Sequence, residues 1–183
     1  MTSYREHAKA LTLLGIPIVL GQLGAIAQSF ADTIMVGQFG TDELSASGFV
    51  NNVFNLAIFF LLGVSYSTTP VVGRFFGQGR LGAAYRSLRE SIIVNLVICG
   101  GVMLLMFGLY SSLDYLNQPT QLLPLIRTYF IILLLSLPFM SAFNAMKQFC
   151  DGVGDTKSPM WILLMGNALN IGGNALLIYG CTP

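Results

Sequence analysis

Five long apolar stretches run through the chain, and each holds the roughly 20 residues that a helix needs to cross a bilayer. We place the predicted spans at residues 11–36, 44–72, 88–110, 122–146 and 159–179. These stretches lack the alternation of barrel strands, and a backbone exposed to lipid must satisfy its own hydrogen bonds. The pattern therefore predicts an all-α polytopic membrane protein, with residues 1–183 in a single membrane domain.

Composition supports this class. Hydrophobic residues make up 54% of the chain and charged residues only 9%, whereas an average soluble domain is about 25% charged. A soluble protein of this length could bury a core, but it could not cover its surface with so few charges. The composition therefore excludes an ordinary soluble domain.

Basic residues fall on alternate connections between the spans. Eight of the nine lysines and arginines lie on one side, namely Arg5, Lys9, Arg74, Arg80, Arg86, Arg89, Lys147 and Lys157. Arg127 is the exception, and the opposite loops carry Asp42, Glu43 and Asp114. By the positive-inside rule the N-terminus is cytoplasmic.

The fifth span carries a stripe of amides on one helical face. Asn167, Asn170 and Asn174 occur at positions i, i+3 and i+7, which cover about a third of the helix circumference. One interpretation is an interface between helices, which membrane proteins often build from small and polar residues. The other is a face that lines a polar cavity, and this span alone favours neither.

Two further spans carry polar stripes, and one stripe includes an acid. Gln28 and Asp32 share a face of the first span, and the second span carries Asn51, Asn52 and Asn55. A mid-membrane carboxylate costs about 2.5–3.5 kcal/mol on insertion scales, whereas an interhelical amide bond returns only about 0.6–2 kcal/mol. Since packing alone does not justify the acid, Asp32 is predicted to bind a proton or a cation.

Two interpretations of Asp32 stay open. Burial disfavours an ionised carboxylate and a nearby cation favours it, so Asp32 could exchange a proton for Na⁺ or an organic cation. Alternatively, because Asp32 lies near the outer end of its span, it could be a loop-level acid that reaches the headgroups.

Two loop motifs suggest ligand binding but lack the required residues. "RFFGQGR" (74–80) does not have the GK[ST] ending of a phosphate loop. "DGVGDTKSP" (151–159) lacks the ligand pattern and final Glu of a calcium loop. Both are predicted to be cytoplasmic turns. The sequence has one histidine, His7, and no catalytic triad, so the chain is not predicted to be an enzyme.

Four stretches resemble the MATE (multidrug and toxic compound extrusion) transporter family in its bacterial NorM-like branch. They are "FADTIMVG" (30–37), "TPVVGRFFGQGR" (69–80), "DGVGDTKSPM" (151–160) and "GNALNIGGNALLIYG" (166–180). Their order and spacing agree with the family across nearly all 183 residues.

The resemblance implies a multidrug efflux antiporter of the bacterial inner membrane that exports cationic amphipathic compounds and is driven by Na⁺ or H⁺. It implies a cation or proton site at Asp32, Asn170 and Asn174, with no other metal and no cofactor. Some relatives carry a second acid on helix five; the amides here leave Na⁺ and H⁺ both open. Further candidates for lining a cavity are Gln28, Asn51, Asn52, Asn55, Asn144 and Asn167.

The chain departs from the family in length. Members have twelve helices in two six-helix lobes, whereas this chain holds five predicted spans of an incomplete N-terminal lobe. Because alternating access needs two moving halves, we expect function to require the missing C-terminal lobe. The other expected partners are membrane lipid and small cationic substrates, without nucleic acid. Alternatives are a lipid or lipid-linked sugar flippase of the same superfamily, or a truncated membrane protein that does not transport.

Overall fold

The computed structural model describes residues 4–116 and 119–180, which are helical with no strand. The helices are α1 (Tyr4–Phe39), α2 (Thr41–Tyr66), α3 (Thr68–Gly77), α4 (Leu81–Ser111), α5 (Leu123–Val153) and α6 (Lys157–Gly180), with a 3₁₀ turn at Leu113–Leu116. Five segments are long and apolar enough to cross a membrane: Leu11–Gln38, Thr41–Gly77, Leu81–Ser111, Leu123–Val153 and Lys157–Leu177. The predicted all-α fold with five membrane-spanning helices is confirmed.

The helices extend past the apolar stretches that predicted them. Helix α4 begins at Leu81 rather than 88, and α5 continues to Val153 rather than ending at 146. Hydropathy detects only the part of a helix that is apolar enough for lipid, and the polar turns beyond it remain helical. Lys147, which we assigned to a loop, therefore lies inside α5.

The second predicted span is two helices rather than one. Helix α2 ends at Tyr66, Ser67 intervenes, and α3 starts at Thr68. The cause is Pro70, which has no N–H to donate to the carbonyl of Tyr66 and whose ring clashes with that carbonyl. The N–H of Ser67 bonds to the carbonyl of Val64 instead, at 3.2 Å.

The two predicted turns are shorter than expected. Arg74 to Gly77 belong to α3 and Asp151 to Val153 belong to α5, so each motif is helical over its first residues. The turns themselves contain Gly79 and Gly154, whose φ angles are 70° and 84°. Only glycine adopts this left-handed conformation without strain, so these residues end the preceding helical segments.

The described helices form two compact units, and residues 40–153 make up the larger one. Apolar side chains on α2 recur at spacings of three and four, as do those on α5, so each helix presents one continuous face to a shared core. The buried members on these helices are Ala46, Val50, Phe54, Ala57, Leu61, Ile126, Phe130, Leu134 and Leu137. The rings of Phe54 and Phe130 meet edge to face, with centroids 4.8 Å apart.

Helix α3 packs closely against the end of α5 in the same unit. A Cβ on Gly152 would lie 2.9 Å from the Cβ of Val72 and 3.0 Å from the carbonyl oxygen of Thr69. The Thr69 hydroxyl donates to the Gln148 side chain at 2.7 Å. Because Gly152 has no side chain, the two backbones can approach closely enough for this bond.

The smaller unit, described over residues 4–39 and 154–180, contains α1 and α6. A Cβ on Gly21 would lie 3.5 Å from Leu163, and one on Gly24 would lie 2.7 Å from Leu164. Contacting positions rise together along both helices, so α1 and α6 run parallel. Their close approach depends on the small residues of α1. The predicted single membrane domain stays a prediction.

Candidate functional site

The acid that the sequence singles out lies between α1 and α6. The Asn174 side chain donates from Nδ2 to Asp32 Oδ1 at 2.9 Å, and to Asn170 Oδ1 at 3.1 Å. Asp32 and Asn174 are half-buried, whereas Asn170 is exposed. The structure therefore brings together the three residues predicted to bind a cation or proton, and we call them the Asp32 site.

The parallel helix pair explains this geometry. Asn167 lies 3.3 Å from the position that a Gly24 Cβ would occupy. Asp32 lies two turns beyond Gly24, and Asn174 lies two turns beyond Asn167, so these two side chains meet on the same side of the interface. The close contact of Gly21 and Gly24 with α6 therefore determines which α6 residue faces Asp32 two turns further along.

Two further predicted residues lie on the same helices. Gln28 is half-buried one turn before Asp32. Asn167 has a buried Nδ2 atom with no hydrogen-bond partner among the described residues. An unpaired buried donor of this kind costs about 1–3 kcal/mol. The α1–α6 interface thus holds more hydrogen-bonding capacity than its own residues use.

The arrangement of amides suits an ionised carboxylate. A carboxylate offers about four lone-pair sites, and the amide of Asn174 occupies one of them with its NH₂ edge. Half a turn of that amide would present Oδ1 to Asp32 instead. Carboxylate and carbonyl oxygens are the ligands of hard cations. In the rotated amide, Oδ1 of Asn174 could therefore coordinate a cation together with Asp32, or accept a hydrogen bond from a protonated Asp32.

The other predicted cavity residues belong to the larger unit. Asn51, Asn52 and Asn55 are exposed on α2, and Asn144 is half-buried on α5. Asn51 Oδ1 accepts a hydrogen bond from the Tyr129 hydroxyl at 3.2 Å. Their role in lining a cavity stays a prediction.

Transition-metal chemistry has no candidate site in the described parts of the chain. No group of three or more His, Cys, Asp or Glu side chains gathers there to hold a metal ion. Among the described residues, the side-chain hydrogen bond to Asp32 comes from the amide of Asn174.

A polar network within the larger unit was missed at the sequence level, and we call it the Asn95 network. The Ser65 hydroxyl donates to Asn95 Oδ1 at 2.6 Å, and Asn95 Nδ2 donates to the Ser91 carbonyl at 2.9 Å. The Ser141 hydroxyl donates to the Asn95 carbonyl at 3.2 Å. The sequence feature that could have indicated this network is Asn95 itself, a single asparagine in the most apolar of the five spans.

A part-buried ion pair was also missed. Lys147 Nζ lies 3.1 Å from Asp151 Oδ2, and the two side chains are 15% and 8% exposed. The other oxygen, Asp151 Oδ1, has no partner within the described residues. The signal was the spacing of four between opposite charges, which places them on one face of a helix.

Comparison with known proteins identifies the family of this chain. The profile of the MatE family matches residues 17–176. The multidrug resistance protein MdtK of Yersinia pestis (strain Pestoides F) is 29% identical over an alignment of 184 positions, which covers 98% of this chain and 40% of that protein. The multidrug resistance protein NorM of Photobacterium profundum is 23% identical, with the same coverage.

Solved structures show the same fold. An outward-facing multidrug resistance MATE family transporter of the MOP superfamily superposes with a TM-score of 0.85 at 24% identity, over 94% of this chain and 38% of that one. A MOP superfamily transporter from Pyrococcus furiosus Vc1 (DSM3638), whose binding pocket has reverse polarity, gives 0.74 at 26% identity with the same coverage.

The matches cover nearly all of this chain but less than half of each relative. The chain spans about 40% of the length of the curated relatives it matches, whereas the relatives cover nearly all of it. The family profile covers most of the chain, from Pro17 to Leu176. The chain therefore belongs to the MatE family, the family of MATE multidrug efflux transporters.

Proposed function

We propose that these residues form the N-terminal part of a multidrug efflux antiporter that binds its coupling ion, Na⁺ or H⁺, at the Asp32 site. The observation that carries the proposal is the hydrogen bond between Asn174 and Asp32 in the α1–α6 interface. An acid within a membrane-spanning helix is by default a proton or ion site. The unused hydrogen-bonding capacity around Asp32 supports a bound ligand rather than a purely structural role.

Exchange at this site would follow from the chemistry of one carboxylate. An ionised Asp32 attracts a cation, and binding of Na⁺ or H⁺ removes its negative charge. Since the Asn174 amide donates to the ionised acid and accepts after rotation, it could stabilise both states. Competition for Asp32 would then couple uptake of the ion to release of a cationic amphipathic compound.

The orientation in the membrane is part of the same proposal. Eight of nine basic residues fall on the side of the predicted connections that includes the N-terminus. This bias favours a cytoplasmic N-terminus in a bacterial inner membrane. The short link between Phe39 and Thr41 would then face outward.

Transport itself is proposed for a longer protein. The curated relatives extend well beyond the region matched here, and alternating access needs two halves that move against each other. The expected partners are therefore the C-terminal lobe, membrane lipid and small cationic compounds.

The test uses the protein that includes these residues together with the second lobe, reconstituted in liposomes. An imposed Na⁺ or proton gradient should drive export of a cationic dye, and Asp32→Asn should abolish that export because it removes the charge. The matched control is Asp42→Asn, which neutralises an exposed acid at the start of α2 and should leave export unchanged. Full gradient-driven export by Asp32→Asn would refute the assigned role.

The same preparation separates the two coupling ions. If Na⁺ binds at Asp32, NaCl should raise the unfolding temperature more than choline chloride at constant pH. If only H⁺ binds, the two salts should act alike. In both cases Asp32→Asn should remove the ion-specific effect.

The flippase alternative is less well supported at this site. A flippase of anionic lipid-linked substrates would favour basic side chains, whereas the Asp32 site consists of one acid and two amides. Export of a cationic dye, without movement of a labelled lipid, would separate the two functions.

A further inference from the structure

A cavity of about 170 Å³ lies in the larger unit, where α2 ends and α3 begins beside α4. Water occupies about 30 Å³ per molecule in the liquid, so the cavity has room for several waters or a small polar group. Three valines contribute to its walls, and its polar lining consists of Ser67, Thr68, Ser87, Glu90, Ser91 and Asn95. None of these residues belongs to the Asp32 site.

Several hydrogen-bond donors around this cavity are already used inside the protein. The Ser67 hydroxyl donates to the Val64 carbonyl at 2.8 Å, and the Ser87 hydroxyl donates to the Ala83 carbonyl at 3.1 Å. A hydroxyl has one hydrogen and two lone pairs, so each of these oxygens can only accept from a ligand. The cavity therefore presents mainly acceptors.

Glu90 adds a negative charge to this set of acceptors. Its side chain is exposed and lines the cavity, and no ion pair to it is found among residues 4–116 and 119–180. Arg86, one turn earlier on α4, is not paired with it in the described structure, although the spacing would allow this. A ligand that matches the cavity must carry positive charge and several N–H donors.

We propose that this cavity binds a primary ammonium group, which offers three donors around a compact charge. Arg86 and Arg89 are exposed on the same end of α4, where the chain passes from a polar link into an apolar span. A phosphate near these guanidinium groups and an ammonium at Glu90 match the headgroup of an aminophospholipid. A free organic amine supplies the same ammonium without the phosphate.

The first experiment measures lipid retention on the purified protein by native mass spectrometry. Phosphatidylethanolamine should be retained in preference to phosphatidylcholine with the same acyl chains, because a quaternary ammonium has no N–H to donate. Glu90→Gln should lower phosphatidylethanolamine retention about tenfold, the effect of losing one charge-assisted hydrogen bond. Glu43→Gln, which changes an acid outside the cavity, is the control.

A milder pair of variants tests the neutral acceptors. Ser87→Ala removes one hydroxyl acceptor from the cavity wall and should lower retention less than Glu90→Gln does. Ser111 makes the same bond to the carbonyl four residues earlier on the same helix, but it does not line the cavity. Ser111→Ala should therefore leave retention unchanged.

A second measurement separates the two sources of ammonium. If a free amine is the ligand, ethanolamine should raise the unfolding temperature of the wild type but not of Glu90→Gln, without a preference between the two lipids. If the lipid is the ligand, the preference appears and ethanolamine has no effect. The proposal would be overturned if both lipids were retained equally and ethanolamine had no Glu90-dependent effect. It would also be overturned if the protein retained only an anionic lipid and Glu90→Gln did not change that retention.

Discussion

The Asn95 network and the Asp32 site differ in how fully their hydrogen-bonding groups are used. Asn95 is 1% exposed, and both ends of its side-chain amide are bonded. Asp32 is half-buried, and among the described residues its carboxylate accepts one side-chain hydrogen bond, from Asn174. A buried network with every member satisfied fixes one arrangement of helices. A partly used acid within a membrane-spanning helix retains capacity for a ligand, whereas the side-chain amide of Asn95 is already used within the protein even though it also lines the cavity beside Glu90.

The two units also differ in how many apolar side chains they bury. Helices α2, α4 and α5 enclose a core of buried, mainly aliphatic and aromatic side chains. In the α1–α6 unit, Met160 is the one buried hydrophobic side chain among the described residues, although both units expose large apolar side chains. We therefore expect the larger unit to carry most of the stability and the smaller unit to tolerate rearrangement.

The largest expected effect comes from the core of the larger unit. Phe130 is fully buried on α5, whereas Phe139 on the same helix is 78% exposed. Phe130→Ala should lower the free energy of unfolding by about 3–5 kcal/mol because it leaves a cavity. Phe139→Ala should change it far less, and equal losses in denaturant titrations would contradict the proposed core.

The two close-packed glycines provide the next comparison. An alanine at Gly152 would meet the Val72 Cβ and a backbone oxygen, which cannot move easily, whereas one at Gly24 would meet the flexible end of Leu164. Gly152→Ala should destabilise the protein by about 1–3 kcal/mol through overpacking. Gly24→Ala should cost less, and Gly101→Ala, which has open space around it, is the control. A larger loss of unfolding temperature for Gly24→Ala would reverse the comparison.

Leucine substitutions test the two polar sites directly. Asn95→Leu should destabilise the protein by about 1–2 kcal/mol, because it removes interhelical hydrogen bonds within the membrane. Asn174→Leu should have little effect on stability and should instead weaken ion binding at Asp32. Thermal unfolding with and without NaCl measures both, and similar destabilisation by the two variants would remove the distinction that we draw.

The smallest expected effect concerns the start of α6. Hydrogen bonds from Ser158, from its side chain first and then its backbone, hold the pKa of Asp155 below its usual value. A lowered pKa means that the ionised form stabilises the fold above the unfolded-state value, about 3.9, and that this contribution disappears as pH falls through the folded-state value. A carboxylate at a helix N-terminus contributes about 0.3–1 kcal/mol. Between about pH 6 and about pH 2, the free energy of unfolding of the wild type should therefore fall by about 0.3–1 kcal/mol more than that of Asp155→Asn. Parallel pH profiles of the two proteins would contradict the capping role.

The sequence predicts the spans because they depend on local rules, whereas the pairing of Asp32 with Asn174, 142 residues away, was implied by the resemblance to the MATE family. Lipid imposes long apolar helices, and the stripes on spans one and five place Asp32 and Asn174 on single faces. The break at Ser67 was missed because hydropathy stays high across it, although Pro70 was visible. The Asn95 network could not be derived, since its partners Ser65 and Ser141 lie 30 and 46 residues away and meet it only through tertiary contacts.

The position of Asp32 along α1 has an electrical consequence. It lies six residues before the end of its membrane-spanning segment at Gln38, which is about 9 Å of helix rise. An ion arriving from that end would cross roughly a third of the hydrocarbon thickness and thus about a third of the membrane voltage. At about 2.3 kcal/mol per charge for 100 mV across the whole membrane, that voltage would alter ion affinity only about fourfold. Occupancy of Asp32 should therefore follow the ion concentration on that side more steeply than the voltage, which binding measured in liposomes at fixed potentials would test.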